Sequence, residues 1–133
     1  TLIVMLLAAI NYQLNLGYAL TFALAGAGIV SMHLTHGNLR VDLARAEVWR
    51  GDQLVFLSAT EYRLLLQFAH NLGRVVAAEE LLTSVWGPEY HSDKEILWVT
   101  IARLRQKVED DPHTPKHIVT RSGLGYLMPP EED

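Results

Sequence analysis

Three cations, Arg103, Arg105 and Lys107, lie within "WVTIARLRQKVE" (98–109), and no acid separates Trp98 from Lys107. Cationic side chains crowded on one helix suit a polyanion, because each phosphate they neutralise on a nucleic acid releases condensed counterions. A guanidinium also pairs bidentately with a guanine edge, a carboxamide pairs with adenine, and a small apolar side chain meets a thymine methyl. Arg103, Gln106, Val99 and Ala102 are of those types. The plainer reading is a solvated helix face whose charges have i,i+4 support. The chain carries a net charge of −4, so any contact with a polyanion must come from a local field.

Other chemistries find less support. There is no cysteine, which removes disulfides, thiolate metal sites and cysteine nucleophiles. Acids, histidines and serines occur, but none in a nucleophile elbow, a P-loop or an H-E-x-x-H pattern. Neither an enzyme nor a cofactor nor a metal is expected. His33 and His36 in "HLTH" have a spacing a metal could use. Two neutral ligands without a third make an interfacial polar pair the stronger reading. His70, His91, His113 and His117 read as dispersed surface or turn residues.

The elements that must position the cations emerge from periodicity. Leu97, Ile101, Leu104 and Val108 fall in one narrow sector of a helix ending near Glu109. "SDKE" before it offers a capping box through Ser92 and Glu95. Opposite the apolar stripe lie Glu95, Trp98, Val99, Ala102, Arg103 and Gln106, the positions for base edges. Lys94, Arg105 and Lys107 are placed for phosphates. Trp98 sits about 100° from the stripe, so partial exposure is expected. Its ring packs on the flank, lies against nucleic acid or meets a partner protein. Upstream, "SATEYRLLLQFAHNLGR" predicts a helix with a Ser58–Glu61 capping box, a stripe of Tyr62, Leu65, Leu66 and Ala69, and a stop at Gly73. "AAEELLTSVW" predicts a shorter helix, stopped at Gly87-Pro88, with Trp86 in the core. "LRVDLARAEVWRGDQLVFLS" reads as a small antiparallel meander turning at "RGDQ", and "HIVTRSGLGYLM" as a hairpin turning at Ser122-Gly123. The sum is an α+β winged helix-turn-helix: an N-terminal antiparallel sheet, three helices and a C-terminal β-hairpin wing.

The front of the chain has another composition. No Lys, Arg, Asp or Glu precedes Arg40. "TLIVMLLAAI" is almost wholly apolar, and the run from Gly17 to Leu34 approaches the ~20 apolar residues that cross a bilayer as helix. Ala19, Ala23 and Ala27, with Gly26 and Gly28, have small-residue spacing suited to helix packing in lipid. Arg40, Arg45 and Arg50 would put the charged remainder of the chain on the cytoplasmic side. The expected division is a hydrophobic helical hairpin over 1–37, a transmembrane anchor in the bacterial inner membrane; a cytoplasmic winged-helix domain over 38–129; and an acidic tail over 130–133. A buried helix pair is the alternative for 1–37. The start at Thr1 suggests an N-terminal truncation.

Residues 39–128 resemble the DNA-binding effector domain of the OmpR/PhoB family of response regulators, through "LSATEYRLLLQFAHNLGRVV", "EELLTSVWG", "IARLRQKVE" and "IVTRSGLGY" in that order. The resemblance implies a four-stranded N-terminal sheet, a third helix entering the major groove of double-stranded DNA, and a wing reaching the neighbouring minor groove. It implies head-to-tail dimers on tandem half-sites. It adds Thr100 to the DNA-contacting positions and gives Thr120 and Arg121 backbone contacts from the wing. It also implies that the loop Gly87, Pro88, Glu89, Tyr90 and His91 can touch RNA polymerase. Ala102 and Trp98 stand where several relatives carry Arg or another polar residue, and Ser122 where Arg is frequent. The affinity and target sequence are therefore this chain's own. The receiver domain that carries the family's phosphoacceptor aspartate is not among these residues, so control by phosphotransfer would need a further segment. Separately, "INYQLNLGYALTFALAGAGIVSMHLTH" resembles the membrane hairpin of uncharacterised bacterial proteins with a von Willebrand A-like domain, which suggests a gene fusion or a fragment. The competing function is a membrane-tethered winged-helix adaptor that binds protein, favoured by the apolar trio Trp98, Val99 and Ala102 and by the acidic balance.

Overall fold

The computed structural model describes residues 23–25 and 29–131. Two short strands, β1 (Ala23–Ala25) and β2 (Ile29–Ser31), pair antiparallel as a ribbon of their own. Four more form an antiparallel meander in chain order: β3 (His33–His36), β4 (Leu39–Asp42), β5 (Glu47–Arg50) and β6 (Gln53–Val55). Then come α1 (Ala59–His70), α2 (Ala78–Val85), a 3₁₀ turn (Pro88–Tyr90) and α3 (Lys94–Val108). The hairpin of β7 (Val119–Arg121) and β8 (Gly125–Leu127) completes the winged helix.

The helical expectation for the N-terminal segment fails over its described part, which is strand. Apolar composition alone does not separate a buried strand from a helix. The period-two alternation Leu34/His36 against His33/Thr35 was the available signal, and it sends Leu34 and His36 inward. The four-stranded sheet thus takes its first strand from residues before 38. Among the described residues no helix is long and apolar enough to cross a membrane. Residues 1–22, and with them most of the expected hairpin, lie outside the described residues.

Register explains which sheet face is buried. Leu34 opposes Val41, Val41 opposes Val48 and Val48 opposes Val55, so one apolar row crosses all four strands towards the helices. On the outer face Arg40 opposes Trp49, with its guanidinium 5.5 Å from the ring centroid. Helix α1 closes its N-terminus with the expected box: Glu61 N–H donates to Ser58 Oγ (3.1 Å), and Ser58 N–H donates to Glu61 Oε1 (2.8 Å). Such a cap contributes about 1 kcal/mol. The box expected at α3 does not form. Asp93 stands at the N-cap without a side-chain cap bond, and Lys94 N–H is taken by Ser92 O. Leu64, Leu65 and Phe68 of α1, Leu81, Leu82 and Val85 of α2, and the whole stripe Leu97, Ile101, Leu104 and Val108 of α3 meet in one core.

The wing is docked at its base. Val76 and Tyr126 exchange backbone hydrogen bonds of 2.7 and 3.0 Å. Beside that bridge, Gly125 has φ +146°, and a Cβ there would lie 2.1 Å from Val76 O. Only glycine permits so close a backbone approach.

Candidate nucleic-acid interface

The apolar stripe of α3 fixes what the other faces can do. With four residues locked inward, Glu95, Trp98, Val99, Ala102, Arg103 and Gln106 are exposed. Trp98 is 57% exposed and Val99 43%, so Trp98 does not pack into the flank. Among the described residues, neither the Arg103 nor the Gln106 side chain has a hydrogen-bond or ion-pair partner. The side chain of Arg121 at the end of β7, beside the exposed wing tip 122–124, likewise has none. Lys94 at the start of the helix lies 3.3 Å from the Glu79 carboxylate, both half exposed. Screening leaves such a surface pair worth little.

The flanks of α3 behave differently, and there three of the expected DNA-contacting side chains have partners within the protein. Arg105 and Lys107 lie roughly 70° and 90° to either side of the stripe, close enough to neighbouring elements to be captured. Arg105 turns towards the wing: Nε donates to Ile118 O (3.0 Å) and Nη2 to Thr120 Oγ1 (2.7 Å), while Cζ sits 5.9 Å from the Tyr126 ring centroid. Burial lowers its pKa, opposed by Tyr126 and Glu109. Lys107 Nζ lies 2.6 Å from Glu61 Oε1 on α1. Burial alone would raise the Glu61 carboxyl, but Lys107 and the Ser58 N–H outweigh it and hold it below its usual value. Thr100 is buried, and its hydroxyl donates to Ile96 O (2.7 Å) within the helix. So Arg105 and Lys107 each have a partner within the protein while staying partly exposed, and Thr100 is buried. Thr120 remains exposed; because its oxygen accepts from Arg105, its own O–H stays available to an outside acceptor.

The loop Gly87–His91 is a short 3₁₀ turn with Pro88, Glu89, Tyr90 and His91 exposed. Trp86 is partly buried against the core, as expected.

A second polar cluster was not legible in the sequence. Glu109, only 2% exposed, accepts from the backbone N–H groups of Lys116, His117 and Ile118 at 2.8–3.1 Å. Arg50 Nη1 caps the end of α3 by donating to Lys107 O and Glu109 O. His36 and His117 are both buried, with Nδ1 atoms 2.6 Å apart, and the other ring nitrogens meet Pro129 O and Asn38 Oδ1. His117 is therefore no surface residue. An odd separation along a strand puts His33 and His36 on opposite faces, which removes "HLTH" as a chelating pair. Among the described residues no group of three or more His, Asp or Glu could hold a metal. The only sequence signal for the cluster was the acid at the helix end, before a six-residue loop rich in turn formers.

Known proteins share this fold. The family profile described as "Transcriptional regulatory protein, C terminal" matches residues 51–128. The transcriptional regulatory protein KdpE of Mycobacterium tuberculosis is 46% identical over 86 residues, 65% of this chain and 38% of that protein. The KDP operon regulator KdpE of Escherichia coli is 39% identical over 89 residues, 67% of this chain and 40% of that protein. The chain thus spans about two fifths of the length of these curated relatives. Among solved structures, the response regulator DrrB of Thermotoga maritima, an OmpR/PhoB homologue, superposes with a TM-score of 0.67 at 32% identity, covering 73% of this chain and 44% of that one. The RstA DNA-binding domain of Klebsiella pneumoniae, solved in complex with the RstA box, gives 0.68 at 29% identity, covering 74% and 98%. With the fold, the helix order and the matched residues in agreement, the chain belongs to the transcriptional regulatory protein C-terminal family, the winged-helix effector domains of OmpR/PhoB-type response regulators.

Proposed function

We propose that this domain binds double-stranded DNA in a sequence-specific way and so regulates transcription, with α3 in the major groove and the β7–β8 wing in the adjacent minor groove. The observation that carries this reading is the division of labour on α3. Its flank cations are captured by the protein, while Arg103 and Gln106 stand on the exposed face without partners. These are the side chains that read guanine and adenine edges, and Val99 and Ala102 beside them suit thymine methyls. Lys94, Thr120 and Arg121 supply phosphate contacts at the two ends of the surface. Family resemblance supports two further elements: a head-to-tail dimer on tandem half-sites, and contact of the exposed Gly87–His91 loop with RNA polymerase.

The test is selection of bound duplexes from a random pool with the full chain. Enrichment of a motif repeated in tandem supports the reading. Retention of DNA with no enriched sequence at any salt overturns the sequence-specific part. Partition of the full chain between bilayer and buffer tests whether the apolar residues 1–22 anchor it, and complete recovery in buffer without detergent removes that anchoring.

A protein-binding adaptor is the second reading, favoured by one observation. Trp98 and Val99 present an exposed apolar surface on the very face proposed for DNA. Failure of the selection, with a protein partner whose binding is abolished by Trp98→Ala, would establish it.

A further inference from the structure

Arg105, in the last turn of α3, and Glu109, the residue that ends the helix with extended backbone, lie four positions apart. Between them they hold every segment at the root of the wing. Glu109 gathers the N–H groups of Lys116, His117 and Ile118, the strand's approach. Arg105 takes the carbonyl of Ile118 and the hydroxyl of Thr120 on β7, and lies over the ring of Tyr126 on β8. Ile118 is fully buried, so the carbonyl that Arg105 binds is a fixed point of the core. Tyr126 is itself bridged to Val76. A planar guanidinium serves these acceptors together, whereas the single ammonium of a lysine does not.

We propose that Arg105 is a positioning residue: it fixes the wing to the reading helix, so that the offset between the major-groove and minor-groove contacts is set inside the protein before DNA arrives. This rests on the DNA-binding reading above. It gives Arg105 a role opposite to that of a phosphate ligand. Its charge is spent within the domain, and its effect on DNA is felt where the wing lands.

The experiment compares the full chain with Arg105→Ala, Arg105→Lys and the milder Thr120→Val, which removes the hydroxyl that Arg105 reaches and is read by amide exchange alone, because that hydroxyl is also a proposed phosphate contact. Three quantities are read: amide exchange along the chain, the slope of log K against log salt on the selected duplex, and base preference at each position of that duplex. With Arg105→Ala, exchange at 119–121 and 125–127 rises tenfold or more, while the cores of α1 and α2 keep their protection. The salt slope is unchanged, and base preference fades under the wing but persists under α3. Arg105→Lys falls between Arg105→Ala and the parent, and Thr120→Val shifts wing exchange a few-fold in the same direction. A salt slope lower by about one unit with unaltered wing exchange would show a phosphate ligand and overturn the proposal. Exchange rising equally in α1, α2 and the wing would show a general stability role and overturn it too. If the parent selects no DNA while Arg105→Ala still loosens the wing, the clamp stands and the DNA-binding reading falls.

Discussion

Lys107 on α3 holds the carboxylate of Glu61 on α1 at 2.6 Å, and Glu61 is at the same time the acceptor that closes the α1 cap on Ser58. One carboxylate therefore serves a helix end and a helix–helix contact. Lys107→Ala leaves it nearly closed to solvent with one partner fewer, a loss of roughly 1–3 kcal/mol. The sign with pH is set by the lowered Glu61 carboxyl: its contribution is present above the ordinary value of 4.5 and is lost as the pH falls through the folded-state value. Urea unfolding at neutral pH and near pH 4 should show a gap between parent and Lys107→Ala that narrows in acid. On DNA the same variant should keep the parent's salt slope.

The side chains of Arg103 and Gln106 make no hydrogen bonds or ion pairs within the protein, so Arg103→Ala and Gln106→Ala should leave the melting temperature unchanged. Each should cost about 1–3 kcal/mol on the preferred duplex and relax selectivity at a single base position. Titration against duplexes substituted one base pair at a time provides the measurement.

Trp98 is more than half exposed, which sets its prediction apart from that of a core aromatic. Trp98→Ala should change stability by less than about 1 kcal/mol, against roughly 3–5 for a buried ring, and should weaken DNA binding. Thermal melting paired with a binding isotherm separates the two effects. A loss of several kcal/mol in stability would show that the ring packs within the domain.

His117 has its pKa lowered, chiefly by burial and further by the His36 ring, with Glu109, Asp110 and Glu131 pulling the other way. A folded-state value below the unfolded one means that the unfolded chain takes up the proton first. Stability should therefore fall as the pH drops below about 6.5, the ordinary histidine value. His117→Asn should flatten that part of the profile, as read by denaturant melts across pH 5–8.

Gly125→Ala places a methyl 2.1 Å from Val76 O at a positive φ. Strain alone costs about 1–3 kcal/mol, and the bridge to Val76 must open to relieve it. Faster amide exchange at Tyr126, together with a lower melting temperature, is the expected result.

The sequence told most where one periodic signal ran through one element. The stripe of α3, the Ser58–Glu61 box and the hairpin over Val119–Leu127 all form as expected, because each is decided by residues within a few positions of one another. It told less where a side chain sits at the edge of its stripe. Arg105, Lys107 and Thr100 differ little on a helical wheel from solvated positions. Only the tertiary fold decides that Lys107 pairs with Glu61 on α1, that Arg105 reaches the wing and that Thr100 is buried. Glu109 and His117 were missed for the same reason: their partners are backbone groups and rings brought together by the tertiary fold. Strand β3 was lost to composition, since an uncharged apolar run outweighed a four-residue alternation.

The internal pairing of Arg105 and Lys107 also bears on how the protein would find its site. Grip on DNA of arbitrary sequence comes from cations free to neutralise phosphates, and this domain keeps several of its own for internal use. It should hold random DNA only briefly and travel between segments through solution more than by sliding along them. Its occupancy of the genome would then depend on base edges and on a second copy bound alongside, with little protein lost to the vast excess of wrong sites.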